Sequence, residues 1–180
     1  MGESLINEEA LIYIDALFGY AMTLTRERSA AEDLVQETYV RAARAADKLA
    51  EHSNIKSWLF VVMRNAWLNQ VRHQNKGPRF VGLDDEDFDG STWVAETNTN
   101  PQVIYFRKLE RDEVRLAIEN LPVTYREVVV LRDIEGFSYQ EIATVLGCPA
   151  GTVMSRLARA REKLRAMLDN RQAKVKAKAV

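Results

Sequence analysis

Residues 137 to 164, FSYQEIATVLGCPAGTVMSRLARAREKL, constrain the chain more than any other stretch, because they read as two helices with almost nothing between them. Ser138 followed three residues later by Glu141 is a capping box, so a first helix starts at Tyr139 and carries Ile142, Ala143 and Leu146 inward. Gly147 stops it, since glycine takes the left-handed conformation without steric penalty, and Pro149 sets the backbone angle at which the next helix begins. In the second helix Val153, Leu157, Ala160 and Leu164 recur at spacings of four, three and four and form a buried stripe. Thr152, Ser155, Arg156, Arg159 and Lys163 are left for the exposed face, a composition suited to the major groove of DNA. The whole is the pattern of a helix-turn-helix. A basic helix on an ordinary bundle is the plainer alternative, and charge alone would favour it; the cap, the glycine stop and the polar face together favour DNA reading.

Every strongly periodic segment of the 180 residues is helical, so the chain is expected to be all-α. A hydrophobic content of 47% suffices for packed cores. No apolar run approaches the ~20 residues of a membrane span, so no membrane insertion is expected. The acidic start MGESLINEEALIYID lacks a signal pattern, and the single cysteine, Cys148, has no internal partner, which together suit a reducing cytoplasm. The net charge of −1 conceals segregation: residues 55 to 76 carry four Lys or Arg and no acid, and residues 138 to 180 carry nine against three. Residues 1 to 54 and 77 to 100 are each net −5. Two cationic patches set between acidic segments imply two nucleic-acid contacts and a surface for something other than DNA.

In chain order, residues 8 to 25 read as a packing helix with Leu11, Ile14, Ala16, Leu17, Phe18, Ala21 and Met22 mostly on one face. Ser29 and Glu32 suggest a capping box for a helix from Ala30 to about Asp47, with Leu34, Val35, Thr38, Tyr39 and Ala42 inward. Asp33, Gln36, Glu37, Arg41 and Arg44 lie on its other side, where Asp33, Glu37 and Arg41 at four-residue steps read most simply as helix-supporting charges. Residues 48 to 54 break the periodicity, and Asn54 can cap a long helix from Ile55 to His73 that offers Trp58, Leu59, Val62, Ala66 and Val71 to the core. Its aromatics Trp58, Phe60 and Trp67 read as core. Asn65, Asn69, Arg72 and Lys76 share another face that holds no carboxylate and suits phosphates and base edges. Residues 77 to 100 form an acidic, flexible linker. A helix follows from Gln102 to Glu119 with Val103, Phe106, Leu109, Val114, Leu116 and Ile118 inward, then one from Tyr125 to Ile134 capped by Thr124 and Glu127 and stopped by Gly136. The expected architecture is thus two small helical domains, 1–76 and 101–170, the second a four-helix helix-turn-helix, with a frayed basic tail over 171–180.

No phosphate-cradling loop, serine nucleophile motif or Cys/His metal spacing is present, so neither catalysis, a metal nor a cofactor is expected. Two runs, AEDLVQETYVRAAR with the later WLFVVMRNAWLNQVRHQ, and LPVTYREVVVLRDIEGFSYQEIATVLGCPAGTVMSRLARAREKL, resemble the extracytoplasmic-function sigma factors of bacterial RNA polymerase. The resemblance implies two helical domains that both bind core RNA polymerase, the first opening the promoter's minus-10 element and the second reading the minus-35 element. It makes the Asp33, Gln36, Glu37 and Arg41 face a polymerase-docking surface, against the simpler reading above. It places Lys48, Leu49, His52, Ser53 and Asn54 in the loop that captures a flipped base, with Asn65, Asn69 and Arg72 on the helix beside it. Thr152, Ser155, Arg156, Arg159 and Lys163 become the minus-35 contacts, and an anti-sigma factor becomes an expected partner. Met154 departs from the family's commoner basic residue, so the upstream preference does not carry over. The competing reading is a dimeric helix-turn-helix regulator that does not join polymerase, in which the N-terminal half would have to supply dimerisation.

Overall fold

The computed structural model describes residues 10–45, 54–74 and 112–178, with side chains as far as 169. Among the described residues every regular element is helical, as expected. Helices α1 (Ile14–Thr25), α2 (Arg28–Arg44) and α3 (Ile55–Gln74) precede α4 (residues 112–119), α5 (Val123–Val129), α6 (Tyr139–Leu146) and α7 (Ala150–Lys178). The backbone beyond Leu168, expected to fray, continues α7 as helix to Lys178. The linker, residues 48 to 53, Lys76 and the first half of the helix expected from Gln102 lie outside the described residues.

Helix α2 begins differently from its sequence signature. Glu27, not Ser29, is the cap: its carboxylate accepts from the Ser29 and Ala30 amides (both 3.1 Å) and also takes the Ser29 hydroxyl proton. A charged acceptor makes the stronger bonds, which holds the Glu27 carboxyl below its ordinary pKa, and Glu32 pairs with Arg28 instead. The α2 core of Leu34, Val35, Thr38 and Ala42 is as expected, with Tyr39 half-buried and donating to the Ala10 carbonyl (2.8 Å). On α1 the inward face keeps the expected Leu17 and Ala21 and shifts towards Tyr20 and Leu24, leaving Leu11 and Ile14 exposed.

Helix α3 buries the expected Leu59, Phe60, Ala66 and Trp67 and adds Met63, whereas Trp58, Val62 and Val71 are only half-buried. On α4 the inward residue is Ala117, with Val114 and Leu116 exposed. The start of α5 is Pro122 without a side-chain cap, and the capping box expected from Thr124 and Glu127 does not form. Glu127 is fully occupied elsewhere.

Residues Arg126 to Leu131 are six consecutive buried positions. A helix covered all round must lie between two layers, and α5 does: it packs on α7 from one side and on α1 from the other. Its end widens into a π-helical turn, Val130–Ile134, in which the Glu135 amide donates to the Val130 carbonyl (2.9 Å). Gly136 at φ +76° then ends the helix, as expected. Because α5 is shared, one hydrophobic core runs unbroken from α1 and α3 into α5, α6 and α7.

Candidate nucleic-acid interface

The helix pair α6–α7 is built as its residues dictate. Ser138 Oγ accepts from the Glu141 amide (3.2 Å) and Glu141 Oε2 accepts from the Ser138 amide (2.8 Å), closing the capping box. The Ser138 amide and hydroxyl, both donating to Oε2, hold the Glu141 carboxyl below its usual range. Gly147 adopts φ +61°, and the Cys148 amide donates back to the Ala143 carbonyl (3.1 Å), so the chain reverses within three residues. Ile142, Val145 and Leu146 are buried from α6, with Ala143 only partly so.

Val153, Leu157 and Ala160 are buried beneath α7 and Leu164 partly so, which turns Ser155 and Arg159 outward one helical turn apart. Met154 joins them at 49% exposure. Thr152 and Arg156 sit half-buried on one shoulder of the helix. Lys163 is exposed, but its Nζ lies 5.7 Å over the Tyr125 ring, and Glu162 comes to the outer face beyond Arg159. The outward polar face of α7 therefore runs from Ser155 to Arg159, with Lys163 drawn towards Tyr125 beyond it.

On α3, Asn65 and Arg72 are exposed and Asn69 half-exposed, on the side away from Leu59, Met63 and Ala66. Asn54 caps this helix, its Oδ1 accepting from the Ser57 amide (3.1 Å). Lys48, Leu49, His52 and Ser53 lie outside the described residues. On α2, Asp33 and Gln36 are exposed and Glu37 accepts from Arg41 Nε (2.6 Å), so these four side chains form one polar stripe opposite the buried Leu34, Thr38 and Ala42. Val40, 44% exposed, adds an apolar neighbour that charge patterning does not reveal.

The most elaborate polar cluster is one that sequence reasoning missed. Glu127, 2% exposed, accepts through Oε1 from Tyr20 Oη and from Arg64 Nε, each at 2.8 Å. Burial, reinforced by the Glu127 carboxylate, pushes the Tyr20 phenol well above the ordinary tyrosine value. Phe60 stacks on Tyr20 (5.0 Å between centroids) and meets Phe137 edge-on (4.9 Å). Arg126, with its pKa pulled down to about 10 by burial, donates to the carbonyls of Thr23 and Leu121 (both 2.8 Å). Lys56 Nζ binds a Glu135 carboxylate oxygen (2.8 Å) and the Glu135 carbonyl (2.9 Å), and Asn54 Nδ2 donates to Glu141 Oε1 (2.6 Å). The one sequence signal for this cluster is the apolar run Val128–Leu131, too long for a helix with one solvated face.

Among the described residues no group of His, Cys, Asp and Glu could hold a metal ion, and no helix is long and apolar enough to cross a membrane. Residues 12–77 match the family model Sigma-70 region 2, and residues 111–164 match Sigma-70, region 4. The half that a dimeric regulator would need for dimerisation is therefore of the region 2 type. The chain is 34% identical to the ECF RNA polymerase sigma factor EcfG of Rhodopseudomonas palustris over 91% of this chain and 84% of that protein. It is 35% identical to the ECF RNA polymerase sigma-E factor of Escherichia coli over 72% of this chain and 69% of that protein. Among solved structures, the sigma factor RpoE of Bartonella quintana, crystallised with the anti-sigma factor NepR, superposes with a TM-score of 0.72 at 31% identity, covering 91% of this chain and 96% of that one. With both halves matched in order and the likeness extending along nearly the whole chain, the protein belongs to the extracytoplasmic-function (ECF) subfamily of sigma-70 RNA polymerase sigma factors.

Proposed function

We propose that this protein binds core RNA polymerase in the cytoplasm and directs promoter-specific initiation, with no catalysis of its own. The N-terminal helices, as domain 1–76, open the minus-10 element; the C-terminal helices, as domain 101–170, read the minus-35 element. The observation that carries the reading is the outward pair Ser155 and Arg159 on a helix whose other side is sealed by Val153, Leu157 and Ala160. A guanidinium there can make a bidentate base contact giving about 1–3 kcal/mol of discrimination, while Thr152, Arg156 and Lys163 at the edges supply register and phosphate attraction.

At the downstream element, extruding a base costs a few kcal/mol of stacking and pairing. Asn54, Asn65, Asn69 and Arg72, with the loop before them, recover that cost through polar contacts once polymerase holds the strand in place. The Asp33–Arg41 stripe of α2 docks on polymerase. An anti-sigma factor as antagonist follows from the relative crystallised with one. Purified protein added to core polymerase is expected to give promoter-dependent transcripts. Glu37→Lys should reduce co-purification with polymerase; unchanged co-purification removes that stripe from the interface.

A further inference from the structure

The outward face of α7 carries two parallel rows. Residues four apart on a helix stand one above the other, so Ser155 and Arg159 make a polar row. Met154 and Ala158, each one position earlier, make an apolar row beside it, and all four residues are exposed. Gly151 lies ahead of both rows, where even an added Cβ would meet nothing, so a duplex can approach the start of the helix closely. The next cation on the apolar side is Arg161, seven residues after Met154. Its guanidinium is forked on the Asp133 carboxylate, with Nε 3.2 Å from Oδ2. Met154 and Ala158 therefore form a strip without donors alongside the residues that meet bases.

Met154 is no part of the core: it is 49% exposed, while its neighbours Val153 and Leu157 seal the inner side of the helix. A single exposed methionine is ordinary elsewhere on a surface. Here its place is not neutral, because a duplex that meets Ser155 and Arg159 brings the adjoining base pair against Met154. The major-groove edges of guanine, adenine and cytosine offer hydrogen-bonding groups, which lose water against a thioether and gain no comparable partner. Thymine adds a C5-methyl group, the one apolar feature of the groove, and apolar side chains contact it. An unbranched side chain with three rotatable bonds and a polarisable sulfur adapts readily to such a surface.

We infer that Met154, flanked by Ala158, is a specificity-determining residue for the upstream element, selecting thymine through its methyl group at the base pair next to the one that Arg159 reads. The inference rests on the function proposed above and deepens it. One helix reads adjacent positions by two kinds of contact, hydrogen bonds from the polar row and methyl contact from the apolar row. Replacing that thymine by uracil deletes the methyl group and leaves every hydrogen-bonding group of the base in place. The affinity then falls about fourfold, the equivalent of one buried methyl group.

The test uses the full chain assembled with core polymerase, which first selects its upstream element from promoter fragments randomised there. The selected fragments are expected to hold a thymine, on either strand, beside the base pair whose preference Arg159→Ala relaxes. Competition between thymine and uracil versions of the selected fragment then reads the methyl contact directly. The wild-type chain should favour thymine about fourfold, Met154→Ala should bind both versions equally, and Met154→Leu should keep the preference. Because Met154 is half exposed, truncating it disturbs no core packing. Selected fragments without such a thymine, equal binding of the two versions by the wild-type chain, or a preference that survives Met154→Ala each overturn the inference. If Arg159→Ala relaxes its own position while methyl deletion has no effect, the methyl contact alone falls. If polymerase carrying the wild-type chain selects no upstream sequence at all, the function reading falls with it.

Discussion

Arg64→Ala tests the buried pair most sharply. The substitution leaves the Glu127 carboxylate, 2% exposed, with only the neutral Tyr20 hydroxyl as partner. Stripping the counter-charge from a buried ion costs about 3–5 kcal/mol. Arg64 itself is 16% exposed, so water reaches part of the vacated space, and the expected loss is at the lower end, about 3 kcal/mol. Tyr20→Phe removes one donor but leaves the ion pair, so it should cost about 1.5 kcal/mol, the low end for a bond to a charged acceptor. The ranking Arg64→Ala above Tyr20→Phe is therefore the signature of a charge-centred cluster. Urea unfolding followed by far-ultraviolet circular dichroism reads both. A single transition shifted by less than about 1 kcal/mol, or a larger loss in Tyr20→Phe, refutes the buried pair.

Gly147→Ala forces a Cβ into the left-handed region at φ +61° and should destabilise the helix pair by about 1–2 kcal/mol, read as a lowered unfolding midpoint, although open space surrounds the site. The Glu141 carboxyl, depressed by its bonds to Ser138, contributes stability that is present above its unfolded value near 4.5 and lost as pH falls through the depressed value. The melting temperature should thus drop on acidification below about pH 4.5, and less steeply in Glu141→Gln; parallel curves for the two would contradict this. Arg159→Ala should weaken upstream-element binding by about 1–3 kcal/mol while sparing polymerase association, measured by competition on promoter fragments; equal loss of both marks a structural residue.

The helix pair was legible because it is local: a cap, a glycine and an apolar stripe within 28 residues determine it, and Ser138, Glu141 and Gly147 all behave as their spacing predicts. Faces that depend on distant partners were not. Tyr20 is central only because α5 arrives from more than a hundred residues downstream, which periodicity in α1 cannot register. The same partner explains the failed capping box at Thr124 and Glu127: a Glu three residues after a Thr matches the spacing, but the carboxylate is drawn to Tyr20 and Arg64. At α2 the spacing of Ser29 and Glu32 was outcompeted by a charged acceptor, Glu27, two residues earlier. Lys163 shares a helix with Arg159 but faces Tyr125, a contact set by how α7 crosses α5.

The central claim, two separate cationic faces used together only within the polymerase complex, is tested most directly by footprinting one promoter with the protein and core polymerase. The account predicts protection at the upstream element together with permanganate-reactive thymines at the downstream one; Arg159→Ala should lose the first, and an Asn65→Ala, Asn69→Ala double variant should lose the second. Protection and strand opening that survive both variants unchanged, or that the protein produces without polymerase, would contradict it.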